Sequence, residues 1–116
     1  MSQHAALSPE RWASFTLEQQ LLMIGNEMNR GAKLMRPGDR EPLRRTYERV
    51  LYLVDLTVQL HAGRGLRREL LRWRDLVARL YVEAEAIPSA HEEAFRVLLR
   101  FSPLTSQQIP HVLGRG

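Results

Sequence analysis

Three carboxylates, Glu27, Asp55 and Asp75, stand in or near apolar stretches of this 116-residue chain, and they are the first residues to question for chemistry. Carboxylates held together serve general acid–base catalysis or bind a divalent cation. Their neighbours favour a plainer use. Glu27 and Arg30 flank the apolar side of one helical stretch, Asp55 sits on the narrow polar strip of a second beside Arg44, Glu48 and Gln59, and Arg74 flanks the apolar side of a third. A carboxylate drawn partly out of water needs a cation or hydrogen-bond donors, and Arg74 or Arg30 can serve Asp55. Glu27, Arg30, Asp55 and Arg74 are therefore expected to form a polar network that fixes the register of packed helices. Asp75 points away from its stripe, and the chain has no Glu-x-x-His pair of the kind that builds metal sites in bundles. No catalytic residue, metal, cofactor or small-molecule substrate is expected.

A second constellation is basic. Arg64, Arg68, Arg72 and Arg79 fall within a quarter-turn of one another, opposite the apolar residues of their helix. Such a ridge can follow a phosphate backbone, each contact releasing a counterion. Asp75 lies in the same ridge, three after Arg72 and four before Arg79, where local pairing offsets part of the charge. No exposed aromatic residue interleaves with the arginines to stack on bases, so a solvated helix face is the expected role and a nucleic-acid backbone contact the alternative. The histidines, His4, His61, His91 and His111, sit singly at terminal or helix-end positions. His61, in the last turn of its helix, gains from the negative helix end when protonated. The chain lacks cysteine, which removes disulfides, thiolate nucleophiles and thiolate metal sites. It also lacks a glycine-rich phosphate loop and a nucleophile elbow.

The elements that must hold these residues are legible as three stripes at helical spacing. Leu17, Leu21, Ile24, Met28, Gly31/Ala32 and Met35 line one helix, and Leu66, Leu70, Trp73, Val77 and Leu80/Tyr81 line another. Between them Leu43, Tyr47, Val50, Val54 and Thr57/Val58 form one stripe, with Leu53, Leu56 and Leu60 beside it, so the middle helix is expected to be the most buried. Ser8-Pro9-Glu10 opens a short turn through Trp12, and Thr16 with Gln19 makes a capping box for the first long helix. That helix is expected to run to about Arg36, where Pro37, Gly38 and Asp39 turn the chain and Asp39 caps the next. The second helix should end near Ala62 and the third should span Leu66 to Ala86. Ser89, with Glu92 three residues on, is placed to cap a fourth, shorter helix over Ala90 to Phe101. The expected fold is all-α, an antiparallel up-down bundle of three long helices and one short, as a single domain over residues 8–101. Residues 1–7 read as a disordered lead-in and 102–116 as a loosely packed tail in which Thr105 can cap one turn.

Gly25 and Gly31 interrupt the first long helix at about 1 kcal/mol each relative to alanine, and Gly31 lies in the stripe, which calls for close approach of a neighbouring backbone. Met23, Met28 and Met35 read as core filler. Leu22, Leu71 and Leu99 fall off their main stripes, leaving apolar surface for a self-partner. Net charge is +4 with a pI of about 10.3, carried almost wholly by arginine, since Lys33 is the only lysine. No run approaches the ~20 apolar residues that span a bilayer, and Met1 to Ser8 lacks the basic and apolar regions of a secretory leader. The expected setting is cytoplasmic, without membrane contact.

The run from Ser14 through Leu21, Ile24-Gly25-Asn26-Glu27 and Arg30, then Tyr47 to Leu51 with Leu53 to Thr57, then Gly65 to Arg72 with Arg74, resembles a family of small prokaryotic helical proteins without assigned function, similar in outline to HEPN-type bundles. The resemblance spans roughly Trp12 to Val82. It implies a helical fold and a role in a defence or toxin–antitoxin-like pair, HEPN proteins often being paired with a nucleotidyltransferase. HEPN ribonucleases carry an arginine a short, set distance before a histidine, and none of the four histidines here is so preceded. The function expected from all this is non-enzymatic: protein–protein contact, as a homodimer or with a partner protein.

Overall fold

A computed structural model describes residues 7–61 and 63–113, with Arg64 described in its backbone alone. The expected lead-in falls outside the described residues except for Leu7, whose carbonyl accepts a hydrogen bond from the Tyr52 hydroxyl at 2.9 Å. The described chain is all-α: α1 Pro9–Ala13, α2 Leu17–Ala32, α3 Glu41–Leu60, α4 Arg64–Val82, α5 Pro88–Leu99, α6 Pro103–Ser106 and α7 Ile109–Val112. No strand is present among the described residues, and a single isolated bridge joins Arg36 to Asp39. No helix among them is long and apolar enough to cross a membrane.

Local signals set most of the starts. Ser8 accepts from the Arg11 amide at 3.1 Å with Pro9 in the first turn of α1. Thr16 and Gln19 exchange side-chain and backbone bonds, 3.1 and 2.8 Å, at the head of α2. Asp39, expected to cap α3, lies one residue too early: the N-cap is Arg40, which has no side-chain cap bond, and Asp39 Oδ1 accepts from the Glu41 amide at 3.3 Å.

The ends depart from expectation. α2 stops at Ala32 rather than near Arg36: the amides of Lys33 and Leu34 tighten onto Arg30 and Gly31, and the chain then turns through Gly38, whose φ of 81° suits glycine. α3 ends at Leu60, Ala62 lying outside the described residues. α4 ends at Val82, not Ala86, where Arg40, the residue preceding α3, reaches across and donates to the carbonyls of Leu80, Tyr81 and Glu83 at 3.2, 3.4 and 2.7 Å. A guanidinium at a helix C-terminus satisfies the last carbonyls and opposes the negative helix end. α5 begins at Pro88 with Ile87 as its N-cap and no side-chain cap bond, so Ser89 lies inside the first turn instead of capping it.

The core is continuous through α1 to α5. Trp12, Leu21, Ile24, Met28, Val50, Val54, Leu70 and Val77 are fully buried. α3 packs against both α2 and α4, and α5 packs against both as well. Gly25 and Gly31 lie where α2 meets its neighbours. A Cβ at Gly31 would come within 3.1 Å of His91 Cε1 and 3.3 Å of Leu43 Cδ1, and one at Gly25 within 3.3 Å of Phe95 Cε1. The close approach is therefore by side chains of α3 and α5, not by a neighbouring backbone. Over 102–113, Ser102 caps α6, and the buried Thr105 donates to the Leu99 carbonyl at 2.6 Å. The cap is Ser102, and Thr105 is its partner.

Candidate functional site

The residues expected to form one polar network separate into two pairs. Glu27 meets Arg49 across the α2–α3 seam at 3.0 Å, with side chains 11 % and 17 % exposed. Arg49 also donates to Thr46 Oγ1 at 3.1 Å. Asp55 meets Arg74 across the α3–α4 seam in a two-pronged contact of 2.6 and 3.3 Å, which raises the pKa of Arg74 further, first through the hydrogen bond itself. Arg30 is exposed and joins neither pair. Each carboxylate faces its own guanidinium, an arrangement that locks neighbouring helices and leaves no second carboxylate to share a proton or an ion. Arg49 was not among the candidates. Its signal was spacing: it shares a face of α3 with Thr46, Leu53, Leu56 and Leu60, a charge on an apolar stripe.

The arginine ridge lies where its spacing placed it. Arg68, Arg72 and Arg79 are exposed on the outer face of α4, and the side chain of Arg64 lies outside the described residues. Arg72 pairs with Glu69 at 3.2 Å rather than with Asp75. The face is broken by Leu71, 43 % exposed, and Val82, 71 % exposed.

His91 lies at a helix end as its sequence position implies, in the first turn of α5, but its partners have no local signature. It is 1 % exposed. Its Nε2 lies 2.7 Å from the Met28 carbonyl and its Nδ1 2.7 Å from the Tyr47 hydroxyl. A carbonyl only accepts, so Nε2 carries the proton, Nδ1 accepts, and Tyr47 donates. The ring is neutral, and burial holds its pKa below the usual histidine value although the Met28 contact works the other way. Burial likewise pushes the Tyr47 phenol up to about 12, against the opposing charge of Arg40. A histidine–tyrosine pair can relay protons, but both ring nitrogens are engaged and both side chains are sealed from solvent, so the pair joins α2, α3 and α5. The available signal was His91 with Ala94, Phe95 and Leu98 on one face.

Two further polar sets join helices. Trp12 Nε1 donates to Thr57 Oγ1 at 2.9 Å, and the buried Gln20 donates to the carbonyls of Trp12 and Phe15 while its oxygen accepts from His61 Nε2 at 3.1 Å. His61 thus serves as the C-cap of α3 and as a donor to Gln20. Arg44 joins Arg40 at the end of α4, donating to the Tyr81 carbonyl and lying 4.6 Å from the Tyr81 ring centroid. Tyr81 in turn donates to Glu48 at 2.7 Å, which raises its pKa. Among the described residues no three or more of His, Asp and Glu are grouped to hold a metal ion.

What the interior leaves unaccounted for is apolar surface. A groove of about 280 Å³ runs between α4 and α5, its floor formed by Leu76, Leu80, Ile87, Ala90 and Ala94 and its edges by Arg79, Glu83 and Glu93. Comparison with protein-family models returns no match, and neither do comparisons with curated proteins and with solved structures. The class is therefore defined by the fold: an all-α helical domain whose buried polar side chains are engaged within it.

Proposed function

We propose that this chain is a non-enzymatic helical domain that acts through protein–protein contact, its partner being a second copy of itself. The architecture behind this reading is an antiparallel up-down bundle of α2, α3 and α4 with the shorter α5 laid across α2 and α4. Contacts support it: Gln20 reaches His61, Glu27 reaches Arg49, and Gly31 meets Leu43, so positions ascend along α2 as they descend along α3. Asp55 with Arg74 and Arg40 with Leu80 give the same relation between α3 and α4.

The observation that carries the functional reading is the placement of exposed apolar side chains. Leu76 and Ile87 are exposed on the α4–α5 groove, Leu71 and Val82 are exposed on the outer face of α4, and the buried Glu27 and His91 are engaged within the fold. Contiguous exposed apolar surface marks an interaction site. Size-exclusion chromatography with light scattering over a concentration series tests this. A mass rising to twice 13.5 kDa is expected, and a monomer at the highest concentration overturns it.

A second reading, contact with a nucleic-acid backbone, is favoured by the exposure of Arg68 and Arg79, neither of which is ion-paired among the described residues. Binding to RNA or DNA that weakens steeply with salt and disappears when Arg68, Arg72 and Arg79 are replaced together by alanine supports it. Absence of binding at low salt removes it.

A further inference from the structure

Resting on the self-association reading, the geometry points to the α4–α5 groove as the contact between two copies, related by a two-fold axis along the groove. The floor is apolar, and its Leu76 and Ile87 are 39 % and 38 % exposed. What identifies a second copy as the occupant is charge. The α4 edge carries Arg79 and the α5 edge carries Glu93, and neither side chain makes an ion pair among the described residues.

A two-fold axis along the groove lays α4 of each copy over α5 of the other. Arg79 of one then faces Glu93 of the second, and symmetry repeats the contact. Glu83, at the groove's end, comes over the first turn of the second copy's α5, where no side chain caps the amides, and a carboxylate there is favoured by the helix dipole. The Arg79–Glu93 pair is complementary to itself under this operator, with Glu83 set beyond it toward the uncapped helix end. The same placement covers Leu76 and Ile87 of both copies.

The test uses the full chain and four proteins: the wild type, Arg79→Glu, Glu93→Arg, and the double variant. Dissociation constants come from sedimentation equilibrium, with circular dichroism confirming that each protein is folded. All substitutions lie on exposed positions. Each single reversal is expected to weaken dimerisation roughly tenfold or more, by setting like charges opposite each other twice over, and the double variant to return within about threefold of wild type because the pair is inverted. A dimeric wild type that the single variants leave unmoved overturns this surface while leaving self-association standing. Weakening by each single variant without recovery in the double overturns the Arg79–Glu93 pairing and the two-fold arrangement with it. A monomeric wild type overturns self-association itself.

Discussion

Acid should loosen this protein through His91. In the native state the ring is neutral, with Nε2 bound to the Met28 carbonyl and Nδ1 accepting from Tyr47. Among the described residues no carboxylate is bonded to it. α2 presents Met28 and Gly31, α3 presents Tyr47, whose phenol feels the charge of Arg40, and on α5 itself the exposed Glu92 is paired with Arg96. In the unfolded chain the ring returns to an ordinary pKa of about 6.5. Folding lowers that value, so the unfolded state takes up the proton first. The stability tied to the neutral ring is complete above about pH 6.5 and falls with decreasing pH, at up to about 1.4 kcal/mol per pH unit, until the folded group also titrates. Each pH unit of that fall is an appreciable part of the roughly 5–15 kcal/mol that holds such a domain.

His91→Gln isolates this effect, because the amide can still donate to Met28 but takes up no proton. The variant leaves Tyr47 without its acceptor and should be about 1–3 kcal/mol less stable at pH 7.5. That deficit should shrink steadily toward pH 5. Urea unfolding followed by tryptophan fluorescence at several pH values gives both slopes, with other titrating groups common to the two proteins. Parallel slopes, or an NMR titration of the His91 ring centred near pH 6.5, would refute the reasoning.

Other perturbations have distinct signatures. Gly31→Ala gains about 1 kcal/mol of helix propensity, but the new methyl meets a His91 ring pinned at both nitrogens, so a net loss of about 1–2 kcal/mol is expected from overpacking; Gly25→Ala, with its nearest contact on Phe95, should lie near zero, and thermal melts rank the two. Glu27→Gln should cost about 2–3 kcal/mol by stranding the mostly buried Arg49, whereas Asp55→Asn, in a pair 34 % and 45 % exposed, should cost less than about 1 kcal/mol; denaturant unfolding that reverses this order contradicts the burial argument. Trp12→Phe removes the donor to Thr57 and should cost about 1–3 kcal/mol while detaching α1, read as faster amide exchange at the start of α2.

The chain's own residues were enough to determine an all-α fold, because a 3.6-residue apolar period has one inexpensive solution: helices with their stripes turned inward. They also determined where α1 and α2 begin, since Ser8 and the Thr16/Gln19 box act within one turn of themselves. The Asp55–Arg74 pair was within reach for the same reason, a carboxylate on a narrow polar strip with an arginine beside the facing stripe. Tertiary structure decided the rest. The end of α4 is met by Arg40, forty residues away in sequence from Leu80, and no local pattern announces a cap that arrives from elsewhere in the chain. Glu27 chose Arg49 over Arg30 because packing put Arg49 on the shared seam and left Arg30 in water. His91 looked like a terminal histidine until α5 was laid across α2, where Gly31 leaves room for the ring and the Met28 carbonyl and Tyr47 hydroxyl engage both nitrogens. Spacing along one helix reports which face is apolar, but which partner meets that face depends on how the helices cross, and that is a property of the assembled core alone.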